Sequence, residues 1–309
     1  MTTTPPVDIT PFARLARNVF PQSRLLRAWP LLGGVSAQTT ALEIQHSGGR
    51  TQKLVVRQHG PVDLAHNPHI AADEFRLMEI LRAAGLPTAT PYYLDQSGEL
   101  FTTPVIVLEY IEGESILTPI ATPGLMPQLA AQLARIHQVE STAFDLSFLR
   151  QQTDAWARKI NARPAHLDDS LEEGRIREAL QGAWPWPQGN ASVLLHGDYW
   201  PGNVLWRDGQ LIGVIDWEDA ALGDPLADIA NCRLEILWAF GSEAMHSFTW
   251  EYASIAPIDF TNLPYWDLCA ALQPAGRLNT WAADAAAEAR MRERHRVFVA
   301  QAFQKLAAP

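Results

Sequence analysis

The spacing of apolar positions changes near residue 110. Before it, short runs of alternating polar and apolar residues dominate. Residues 38–46 (QTTALEIQH) and 53–58 (KLVVRQ) read as two strands, with Ser47-Gly48-Gly49 between them as a hairpin turn. Phe75, Met78 and Leu81 stand three apart and Leu77 and Leu81 four apart, which predicts a helix over 70–84 that Gly85 and Pro87 end. Residues 105–111 (VIVLEYI) are almost continuously apolar, as in a buried strand. After residue 110 the spacing becomes helical. Leu125, Leu129, Leu133 and Ile136 mark one amphipathic helix, residues 168–181 a second and LADIANCRLEILWAF a long apolar third. The Ala-, Arg- and Glu-rich end reads as a terminal helix. VLWRDGQLIGVID, residues 204–216, breaks the pattern and predicts two short strands around Asp208-Gly209. The expected fold class is α+β, with a small β-rich N-terminal lobe, 1–110, and a larger, mainly helical C-terminal lobe, 111–309.

Composition changes this picture little. A chain of 309 residues, 47% hydrophobic and 19% charged, has room for one large domain or two lobes. A net charge of -10 argues against general nucleic-acid or anionic-membrane binding and is compatible with cationic partners. The two cysteines, Cys232 and Cys269, have neither CxxC nor metal-ligand spacing and read as buried thiols. No apolar run reaches the roughly 18 residues of a membrane-spanning helix. The start, MTTTPPVDITP, reads as poorly ordered and lacks the basic and apolar regions of a signal peptide, so a cytoplasmic protein is expected.

Candidate chemistry concentrates in LLHGDYWPGNVLWRDGQLIGVIDWEDA, residues 194–220. Asn203 stands five positions after Asp198, and Asp216 thirteen positions after Asn203. A hairpin in the longer gap folds back and brings Asp216 beside the loop carrying the other two. One carboxylate is then placed to accept a proton, while an amide oxygen and a second carboxylate face the same volume. Hard cations such as Mg2+ favour such oxygens and complete their shell with phosphate and water. Phosphoryl transfer uses the same parts.

The run His196-Gly197-Asp198, then Asn203, then Ile215-Asp216-Trp217-Glu218 resembles the catalytic and metal loops of the aminoglycoside phosphotransferase family, relatives of choline kinases and protein kinases. Gly197 stands where protein kinases carry Arg, and Trp217-Glu218 where they carry Phe-Gly. The resemblance implies a bilobal, protein kinase-like fold and an ATP- and Mg2+-dependent kinase. By the same resemblance, Asp198 is the catalytic base, His196 the organiser of its loop, and Asn203 and Asp216 the metal ligands. In Gly223-Asp224-Pro225-Leu226-Ala227-Asp228, the second Asp braces the catalytic loop. In the first lobe, Gly33, Gly34 and Ser36 resemble the phosphate-covering loop, although such a run is also an ordinary turn. Arg57 stands at the strand-three lysine position, with Lys53 as the fallback cation. Glu74 is the acid that pairs with it, and Glu79 the alternative. Glu109 and Ile111 offer backbone groups to adenine, unless that segment is simply a core strand entering a turn.

The acceptor implied is the hydroxyl of a small molecule. Glu218, Asp219, Glu235 and Trp238, with Tyr199 and Trp200 of the catalytic loop, are the candidates to line its cleft. Carboxylates with aromatics suit a cationic amino-sugar or quaternary amine; surface solvation and core packing account equally for any one of them. Trp184-Pro185-Trp186-Pro187 is a lid or a rigid connector. The competing class is a catalytically idle nucleotide-binding protein, which Arg57 and the thin glycine loop suggest and the intact Asp198, Asn203 and Asp216 oppose.

Overall fold

The computed structural model describes residues 9–31, 37–118, 124–162, 164–187 and 189–307. The chain forms two compact units, Met1–Glu112 and Gly113–Pro309. In the first, the alternating runs pair into one antiparallel sheet. Its elements are α1 (Thr10–Val19), β1 (Arg24–Pro30), β2 (Ala37–Gln45), β3 (Thr51–His59), α2 (Pro61–His66), α3 (Ile70–Ala83), β4 (Pro91–Asp95) and β5 (Val105–Glu109), with strand order β1-β2-β3-β5-β4. The turn after β2 has Gly49 at φ 81, and β2 and β3 stay in register from Gln45↔Thr51 to Ala37↔His59. Alternation then sorts the side chains. Leu42, Ile44, Leu54 and Val56 pack with Phe12 and Leu15 of α1, whereas Ile106 and Leu108 pack with Ala71 and Met78 of α3. β5 is covered on both faces, which is why its sequence is continuously apolar. α1, α2 and the strands β1 and β4 were not legible in the apolar pattern. Thr10 and Pro11, placed by sequence in a poorly ordered terminus, open α1, because Phe12, Leu15 and Ala16 give that segment a buried face.

The second unit contains α4 (Leu125–His137), β6 (Arg150–Gln151), α5 (Gln152–Asn161), α6 (Glu173–Ala183), β7 (Val193–Leu195), β8 (Val204–Arg207), β9 (Gln210–Val214) and β10 (Ala221–Gly223). These are followed by α7 (Leu226–Phe240), α8 (Ser242–Ile255), α9 (Leu263–Leu272), α10 (Leu278–Trp281) and α11 (Ala285–Ala307). β10 lies between β6 and β7, while β8 pairs with β9 and its Trp206 also bridges to Glu114. α7 is the central helix, packed by α8, α9 and α11. Its buried Arg233 makes a two-pronged ion pair with buried Asp267 of α9, at 3.0 and 3.1 Å. Both cysteines are buried and free. The Trp184–Pro187 segment is a packed connector rather than a lid. Trp186 is buried, stacked on Tyr265 at 5.0 Å and edge-on to Trp266 at 5.4 Å. A β-rich unit followed by a helical one is the composition of the protein kinase-like fold.

Candidate active site

The hairpin forms where Asp208-Gly209 allows it. Both residues have positive φ, 51 and 74, the geometry a two-residue turn between twisted strands requires. The ladder runs back from Arg207↔Gln210 to Val204↔Val214, and the Ile215 N–H donates to the Asn203 carbonyl at 2.9 Å. Asp216 therefore emerges beside Asn203, itself at φ 69 in the left-handed region that non-glycine residues seldom occupy.

The Asn203 amide Nδ2 donates to the Asp198 backbone carbonyl at 2.9 Å and to its carboxylate at 3.0 Å. That orientation leaves the Asn203 Oδ1 without a donor among the described residues. Asn231 of α7 donates to the other Asp198 oxygen at 3.4 Å. Burial, with the Asp219 and Asp216 carboxylates nearby, pushes the Asp198 carboxyl up to about 7, against the two amides. The imidazole of His196 is fully buried. Its Nε2 lies 3.0 Å from the Ile215 carbonyl and its Nδ1 3.3 Å from the Asp198 N–H, an arrangement that suits a neutral ring protonated on Nε2. Burial lowers its pKa, outweighing Asp228 and Asp216. The Trp217 ring covers it at 4.4 Å.

Asp228 fixes the loop, as the resemblance implies. Its carboxylate accepts from the His196 N–H at 2.7 Å and the Gly197 N–H at 2.9 Å, and meets His137 Nε2 at 3.2 Å. Gly197 sits at φ 84, and a Cβ there would lie 2.1 Å from the Asp219 carbonyl oxygen. This explains the glycine at the kinase arginine position.

In the first unit, Arg57 Nε lies 3.3 Å from Glu74 and His59 Nε2 3.1 Å from the same oxygen, close in distance but outside hydrogen-bond alignment. Burial acts to raise the Glu74 carboxyl, and Arg57 and His59 together hold it below the ordinary range. Lys53 pairs instead with Glu112 at 2.7 Å, and Glu79 is exposed, so the alternatives to Arg57 and Glu74 lie elsewhere. The Glu109 N–H donates to the Thr90 carbonyl at 2.8 Å. The Ile111 backbone has no hydrogen-bond partner among the described residues. Gly33, Gly34 and Ser36 lie outside the described residues.

Two candidates for the acceptor cleft are core residues. Tyr199 is 0% exposed and its hydroxyl donates to the Leu129 carbonyl at 3.0 Å. Trp238 lies ten residues along α7 from Asp228, roughly 15 Å of helix, where it packs against Trp281 and His295. Trp200 is partly exposed, its ring over Gly202. Glu218 is partly buried. Glu235 lies in reach of Asp198, and burial together with that charge pushes it up to about 8. Sequence reading missed Asn231. It follows Asp228 by three residues on one helix face, a spacing that could have found it.

A model of the phosphotransferase enzyme family matches residues 28–249. Acyl-CoA dehydrogenase family member 10 of Mus musculus is 29% identical over 196 residues, 58% of this chain and 18% of that protein. The chain spans about a fifth to a quarter of the length of such curated relatives. A macrolide 2'-phosphotransferase type I superposes with a TM-score of 0.66 at 19% identity, covering 100% of both chains. The amicoumacin kinase hAmiN, in complex with AMP-PNP, Ca2+ and Ami, does so with a TM-score of 0.65 at 15% identity, covering 91% of this chain and 89% of that one. At these identities the structural likeness shows the fold. The family match spans well over half of the sequence and includes every residue of the catalytic loop and hairpin, so the chain belongs to the phosphotransferase enzyme family.

Proposed function

We propose that the protein transfers the γ-phosphoryl group of ATP to a hydroxyl of a small molecule. The observation that carries this reading is the Asp198 carboxylate. Two amides hold it, no cation of the described residues pairs with it, and its surroundings favour taking up a proton. The acceptor hydroxyl gives its proton to Asp198 as its oxygen bonds to the γ-phosphorus. The bond from that phosphorus to the β–γ bridging oxygen breaks, and its electron pair leaves with ADP. The free Asn203 Oδ1 and the Asp216 carboxylate form a hard oxygen pair suited to Mg2+, which when bound neutralises charge on the phosphate oxygens. Arg57, steadied by Glu74, would hold the nucleotide phosphates, and the unpartnered Ile111 backbone would face adenine. The amicoumacin kinase complex with an ATP analogue and a divalent cation supports this nucleotide assignment.

Acceptor-dependent ADP formation tests the reading: an idle nucleotide binder forms none with any alcohol. Asp216→Ala should weaken Mg2+-dependent AMP-PNP binding by about tenfold or more, measured by calorimetry with and without the metal. Glu74→Gln should raise the KM for ATP by about tenfold while kcat changes little, because Arg57 loses the group that orients it. The same variant has a pH signature. Glu74 titrates below its usual 4.5 in the folded protein, so its stabilisation is complete above that value and fades as pH falls through the lower folded one. Stability curves of wild type and Glu74→Gln should therefore converge in acid.

A further inference from the structure

The second unit has a cavity of about 290 Å³ that none of the assigned catalytic or metal residues lines. Gly197, next to the catalytic Asp198, forms part of its wall, and so does Asn231, whose amide donates to the Asp198 carboxylate. The cavity thus borders one residue that adjoins the base and one that holds it. The charge of the cavity is opposite to that of the protein. Although the chain carries a net charge of -10, the cavity is lined by Arg150, Lys159 and Arg277 against one carboxylate, Asp219. Arg150 occupies that carboxylate, at 2.6 Å.

Lys159 and Arg277 are left with no carboxylate within ion-pair distance among the described residues. Lys159 donates to the Gln273 side chain and lies 5.0 Å from the centre of the Trp156 ring. Arg277 donates to the Gln273 carbonyl at 3.1 Å. Each cation therefore has a neutral partner, and both meet around one residue. The two are close enough to repel: burial first and the Arg277 charge second lower the Lys159 ammonium to about 8. Two like charges converging on a partly desolvated wall are unfavourable unless an anion joins them. The same field would repel an amino-sugar or a quaternary amine.

We infer that the cavity holds the anionic group of the acceptor, a carboxylate or a phosphate, between Lys159 and Arg277, and so presents its hydroxyl to Asp198. The substrate class is then a small hydroxyl compound with a negative charge. This reading competes with the cationic acceptor that Glu218, Glu235 and the aromatic residues suggest from sequence alone. The fate of the hydroxyl rests on the proposed phosphotransferase reading; the anion site rests on the cavity.

Two measurements on the whole chain separate these. The first follows Trp156 and Trp266, which line the cavity, by intrinsic fluorescence during titration with 3-hydroxybutyrate, glycerol 3-phosphate, neutral 1,3-butanediol and cationic 4-amino-2-butanol. Saturable binding is expected for at least one of the two anions and for neither uncharged nor cationic analogue. The preferred anion tells carboxylate from phosphate. Lys159→Met and the exposed Arg277→Gln should each weaken anion binding by about tenfold, and Lys159→Arg should restore most of it. Failure of both anions to bind, better binding of the amine, or unchanged affinity in both variants overturns the inference. The second measurement is ADP release with the same compounds, where the variants should raise the acceptor KM and leave the ATP KM and kcat near wild type. Anion binding without ADP formation leaves the cavity assignment standing and sinks the phosphotransferase reading.

Discussion

Asp198→Ala should lower acceptor-dependent ADP release by about 10²–10⁴-fold, the usual contribution of a positioned general base, while AMP-PNP binding stays near wild type. The separation follows from the position of the side chain. The carboxylate is held by the amide N–H groups of Asn203 and Asn231, and its removal leaves both Asp216 and the Asn203 Oδ1 in place. Asp198→Asn is the stricter comparison, because it keeps the volume and loses the basic oxygen. Single-turnover kinetics should show the loss in the chemical step. Turnover near wild type in either variant would remove Asp198 from the mechanism, and with it the observation on which the proposed function rests.

The catalytic group was legible in sequence because its parts are local. A loop and one hairpin separate Asp198, Asn203 and Asp216, and the Asp208-Gly209 turn fixes how that hairpin folds. Asp228 was legible only through the family resemblance of the Gly223–Asp228 run, which starts in β10 and opens α7. Burial was not legible to the same degree. Glu74 and Glu79 lie on one helix in similar sequence surroundings, and only packing selects the buried one to face Arg57. Tyr199 follows the catalytic Asp directly, yet its ring turns into the core beneath the loop, a choice that residue type cannot announce. The cationic cavity was invisible for the opposite reason. Arg150, Lys159 and Arg277 come from β6, the end of α5 and the turn after α9, so only tertiary packing brings them together.

The side chain that ties this local geometry to the helical core is Asp228, and Asp228→Ala should cost about 3–5 kcal/mol of stability, the range for breaking a buried charged cluster. Its carboxylate is 1% exposed and is the acceptor for two successive loop N–H groups, those of His196 and Gly197. Alanine leaves both donors buried without a partner, at about 1–3 kcal/mol each, and also strips His137 of its contact, which Tyr252 shares from the other ring nitrogen at 2.7 Å. Asp228→Asn keeps one acceptor oxygen but sets an NH2 against the second donor, so its loss should be close to half as large. Denaturant midpoints at unchanged m-value measure both effects. Rate data carry the functional half of the prediction. With the loop loosened, kcat should fall by more than the nucleotide KM changes, because Asp198 is displaced and the Asn203–Asp216 pair on the hairpin is not. An Asp228→Asn protein of wild-type stability and wild-type kcat would mean that the Gly197 turn, with its backbone held against the Asp219 carbonyl, orients the base without help from α7.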